Sequence, residues 1–232
     1  MHSISKGLIT LAAAYFFAFI ISFSSFLQIP VYSDLTLTWQ STIEQLTIWI
    51  PVVVSFLYLV KLVLVIQTKK FSKEIQKQEL TYLLIGLFIL FTMGFSAGIH
   101  AAAQIIQDAI SDQMGTNLYN LTWILDEYVG HFFLVLYSFL LLLLANLELN
   151  RKPQKTKSID LRVSEGVGVL NGALWTVAGI EGGSMYLLMI PISVIGGFQL
   201  YKRMKENDLK LNNYLVTRYM FISLSVFCLM VS

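Results

Sequence analysis

Long apolar runs alternate with short polar stretches along this chain, and the runs are too continuous to be one-sided amphipathic faces. Seven of them, at 8–27, 46–66, 81–107, 122–148, 163–180, 184–201 and 214–231, approach the roughly 20 residues that a bilayer-crossing helix needs. The pattern predicts an all-α fold: a bundle of seven transmembrane helices in a single domain, 1–232. Lys6 before the first run resembles the start of a signal peptide. That run is too long for one, and residues 22–28 offer no clear small-residue cleavage site, so it reads as a retained helix. The fifth run is the least apolar. In it Ser164, Gly168, Gly172 and Thr176 recur every four residues, a small-residue stripe along which another helix can approach closely. A strip facing a pore or substrate, with Asn171 as its polar member, is the functional alternative.

Composition points the same way. Of 232 residues, 56% are hydrophobic and 13% charged, against about a quarter charged in an average soluble domain. The single cysteine, Cys228, rules out an internal disulfide. A net charge of +2 gives no footprint for nucleic acid, but its distribution is uneven. Lys69, Lys70, Lys73 and Lys77, then Arg151, Lys152, Lys155, Lys157 and Arg162, then Lys202, Arg203, Lys205 and Lys210 follow the second, fourth and sixth runs. The opposite connections carry Asp34, Glu44, Asp108, Asp112 and Glu181. By the positive-inside rule the N-terminus is cytoplasmic and the C-terminus outside. The partner this implies is a lipid bilayer, and the location a cell membrane. Trp39, Trp49, Trp123 and Trp175 fall near the outer boundary of that frame, where an interfacial belt is expected.

The candidate chemistry lies in the third and fourth runs. His100 and His131 are embedded in apolar sequence, where an ionisable side chain usually faces a bundle interior or a cavity. Counted from the outer ends of their helices they lie about 10 and 13 Å deep. A short connection makes the two helices neighbours. Residues four apart share a helix face, so Ser96, His100, Gln104 and Asp108 form one polar stripe, and Glu127 sits with His131. Asp126, five residues before His131, points away by roughly 140° on an α-helix.

Four readings fit these residues: a hydrogen-bonded network that fixes helix packing, a metal site, a proton or ion path, and a bis-histidine haem. In the metal reading His100, Glu127 and His131 are ligands, Gln104 or Asp108 adds a further or outer contact, and Asp126 is the acid/base. Two histidines, a carboxylate and an open position match catalytic zinc or non-haem iron. The sequence thus predicts a membrane protein with a His/carboxylate site in the outer half of the bilayer, acting as a metal-dependent enzyme on a lipid-like or small substrate. A proton, ion or solute transporter or channel, and a non-catalytic membrane subunit with a structural polar network, are the alternatives.

Ser96-x3-His100 followed by Asp126 on the next helix resembles the intramembrane metal-hydrolase superfamily that includes adiponectin receptors and alkaline ceramidases. The resemblance covers a few residues in two helices. The last helix here lacks that superfamily's His-x3-His pair. What the resemblance implies is limited to Ser96 and Asp126 supporting a metal-bound water.

Overall fold

A computed structural model describes residues 3–22, 39–66, 73–181 and 185–231. Helices α1 (Ser3–Ser22), α2 (Trp39–Val65) and α3 (Lys73–Ala109) lead to α4 (Asn117–Ile124), which runs through a π turn (Leu125–Gly130) into α5 (Phe132–Leu149). Helices α6 (Ser158–Glu181), α7 (Met185–Glu206) and α8 (Leu215–Val231) complete the bundle. Among the described residues the fold is all-α, and a helix lies at each of the seven apolar runs.

The core forms around α5. A helix that is apolar on every side belongs in an interior, and α5 buries Leu134, Val135, Leu140, Leu141 and Leu144 on successive faces. It packs against α2, α3, α7 and α8. The small-residue stripe of α6 lies against α8. A Cβ added at Gly168 would meet Tyr219 O at 2.9 Å, and one at Gly172 would meet Ser223 O at 2.6 Å. Ser223 Oγ donates to Gly168 O at 3.1 Å and accepts from Asn171 Nδ2 at 3.3 Å. The stripe is therefore a packing surface, with Asn171 buried in the seam rather than facing a pore.

The expectation of seven transmembrane helices is corrected. Among the described residues only two stretches, Ile75–Gln107 and Asn117–Leu149, are long and apolar enough to cross a membrane, and the second is mostly buried inside the bundle. The apolar parts described in α1, α2 and α8, Ser3–Phe17, Val52–Val65 and Leu215–Val231, do not meet that measure. The inside–outside orientation, the bilayer partner, the cell-membrane location and the lipid-like substrate were read from the apolar runs, the low charge and the placement of basic residues. So were the membrane-enzyme, transporter and membrane-subunit readings. All give way to a compact bundle with extensive packing between helices.

Two further observations account for features that had suggested a membrane frame. Trp175 is fully buried, its ring T-shaped against Tyr137 at 6.1 Å, rather than at a boundary. Several basic residues close one end of the bundle through internal contacts. Arg151 pairs with Glu79 at 3.2 Å, Arg203 Nη1 donates to Asn146 Oδ1 at 2.7 Å, and Arg218 pairs with Glu165. Trp39 and Trp49 have side chains outside the described residues, as do Glu44 and Glu181; Asp34 lies outside them altogether.

Candidate metal centre

The site is assembled where α3 crosses the π turn. Thr116 caps the start of α4, its side chain accepting from Tyr119 N at 3.3 Å. After the two turns of α4 the ladder slips: His131 N donates to Asp126 O, five residues back, at 3.1 Å. A π turn bonds residues five apart and winds more slowly than an α-helix, so Asp126 and His131, which an α-helix would hold far apart, come toward the same side. Gly130 lets α3 close in. A Cβ there would lie 3.0 Å from both Cα and Cβ of His100 and 3.3 Å from Asp126 Oδ1.

His100, Asp126 and His131 form the cluster, each offering one ligand atom, and these atoms all lie within 4.8 Å of one another. His100 and Asp126 are buried and His131 is half-buried. Asp126 touches both imidazoles. Its Oδ1 is hydrogen-bonded to His100 Nδ1, and its backbone carbonyl to His131 Nδ1 at 3.1 Å. A carboxylate and a carbonyl only accept, so each Nδ1 is the donor in these bonds. The two imidazole centroids are 4.6 Å apart at an interplanar angle of 60°, too close and too tilted to hold a haem between them. Phe133 walls the cluster, its ring 6.3 Å from His100 and 6.2 Å from His131.

Burial is the main influence that lowers the His131 pKa, to about 4; the neighbouring His100 adds to this and Asp126 opposes it. His131 is thus neutral at physiological pH, with a lone pair on the ring. Neutral imidazole is the form that binds metals. The arrangement is a His/Asp/His cluster capable of coordinating a metal ion.

The other expected site residues fall around it. Glu127 is half-buried, with Oε2 3.8 Å from His131 Nδ1. Gln104 is half-buried one turn beyond His100. Asp108 lies in the last turns of α3, with its side chain outside the described residues. Ser96 is buried and bonds to the π turn, donating to Val129 O at 2.6 Å and Gly130 O at 2.7 Å. Phe133 takes part without having been anticipated, and Gly130 acts through close backbone approach. The adjacency of Gly130 to His131 was the one available signal, because glycine marks a close backbone approach. No protein-family model, curated protein or solved structure matches this chain.

Proposed function

We propose that this protein binds a divalent transition-metal ion, zinc or iron, through His100, Asp126 and His131. The observation that carries the reading is the convergence of the three donor groups within 4.8 Å on two elements distant in sequence. Two imidazoles and one carboxylate suit both metals, and three protein ligands leave at least one position for water or a substrate atom. With bonds near 2.1 Å, tetrahedral donors stand about 3.4 Å apart. The hydrogen-bonded His100–Asp126 pair stands closer than that and the widest pair farther, so a bound ion would part the first and draw the second inward. An ion entering beside Asp126 would take the place of the proton on His100 Nδ1, which moves to Nε2 of the same ring, so the imidazole binds in its neutral form. Glu127, beside His131, is placed to orient that ring or to join the ligand set.

Elemental analysis of the purified protein tests this, with the wild type beside His100→Ala, Asp126→Ala and His131→Ala. The expected result is about one zinc or iron per chain in the wild type and a loss of most of it in each variant. Metal absent from the wild type after reconstitution, or retained equally in all four proteins, sinks the reading and leaves the cluster as a hydrogen-bonded lock between α3 and the π turn.

A further inference from the structure

Ser96 stands one turn before His100 on α3, with its side chain buried. Its hydroxyl does not turn toward its own helix. It reaches the π turn, within 2.6 Å of Val129 O and 2.7 Å of Gly130 O. A hydroxyl has one proton to donate, so the two carbonyls share it. They lie where the backbone ladder is out of step: His131 N bonds five residues back to Asp126 O, and Leu134 N bonds three residues back to His131 O. Gly130 is buried and Val129 half-buried, and a donor from the neighbouring helix helps to satisfy carbonyls beside such a slip.

We infer that Ser96 is a positioning residue of the metal site: its hydroxyl holds the π turn in the register that brings Asp126 and His131 together against His100. The inference rests on the metal-binding reading above. Ser96 itself is not a ligand, since its proton is directed to the two backbone carbonyls. Without the hydroxyl, the turn gains by reverting toward α-helical pairing, and reversion carries Asp126 around the helix away from His131. The serine thus acts on the metal through the backbone, and through two ligands at once.

Zinc affinity of the full chain by competition titration, and the visible spectrum of the cobalt-loaded protein, test this in wild type, Ser96→Ala and Ser96→Thr. Outer-shell partners of metal ligands typically contribute 10–100-fold in affinity. Ser96→Ala is expected to lose about that much and to shift the cobalt bands at saturating metal; a purely structural loss would leave those bands unchanged. Ser96→Thr, which keeps the hydroxyl, is expected to restore both. Zinc affinity in Ser96→Ala within about threefold of wild type, with an unshifted cobalt spectrum, overturns the positioning role alone. A wild type that binds none of zinc, cobalt and ferrous iron overturns the metal-binding reading, and the positioning role with it. Should Ser96→Ala not fold, Ser96→Cys carries the comparison with its weaker donor; wild-type affinity and spectrum there overturn the role equally.

Discussion

A carboxylate with no accessible surface joins the end of α5 to the start of α8. Glu148 accepts from Val216 N at 3.0 Å, Thr217 N at 2.8 Å and Thr217 Oγ1 at 2.9 Å, satisfying amide donors that a helix start leaves unpaired. Burial nevertheless raises its pKa from 4.5 to about 7, against the pull of those donors. A folded value above the unfolded one means the ionised form is the costlier in the native state. Its favourable contribution is full below pH 4.5 and is lost as pH rises to about 7, a change on the order of 3 kcal/mol. Glu148→Gln is expected to flatten that part of the stability–pH curve, as read by denaturant titration from pH 4 to 8. An unchanged slope would place the titration elsewhere. In the sequence Glu148 looks like the polar end of an apolar run; its partners are 68 and 69 residues away, so no local pattern marks it.

At the scale of elements, the α6–α8 seam was legible because its cause is local. Four small residues at a spacing of four make a groove whatever packs into it. The contrast between two glycines of α6 tests this. At Gly172 a Cβ would meet backbone, Ser223 O at 2.6 Å, whereas at Gly166 nothing lies within 4 Å. Gly172→Ala is expected to destabilise by about 1–3 kcal/mol through overpacking. Gly166→Ala is expected to stabilise slightly, since alanine is the better helix former by up to about 1 kcal/mol. Equal denaturation midpoints for the two variants would contradict the packing. The π turn was not legible, for the opposite reason. The residues 125–130 fit an α-helix as well as a π turn, and the choice depends on donors from α3 and on the room left by Gly130. On an α-helix Glu127 is the acid beside His131; one slipped bond brings Asp126 to the same side. The two histidines and their closeness could be read from depth and connectivity, but the identity of the nearest carboxylate could not.

Across the whole molecule, hydropathy located the helices and misjudged what surrounds them. The run in α5 is apolar because that helix is enclosed by its neighbours in the bundle. The run in α3 is apolar although Leu87, Phe88, Phe91 and Phe95 remain exposed. The same average thus describes two different environments. Likewise the basic clusters that suggested an orientation include Arg151 and Arg203, engaged within the bundle with Glu79 and Asn146. The metal site draws on this tertiary arrangement. His100 lies on α3 and its two partners on the π turn and the residue that follows, so the three donors converge only in the folded chain. An ion that binds the folded form alone stabilises it by about 2.7 kcal/mol at a hundredfold excess over Kd. For a chain of this size that corresponds to a rise in Tm of about 5–10 °C. Thermal unfolding of chelator-treated protein, with and without added zinc, is expected to show the rise in the wild type and not in His100→Ala. A shift of equal size in the variant would mean that zinc stabilises the bundle elsewhere, since His100 is the only one of the three donors contributed by α3.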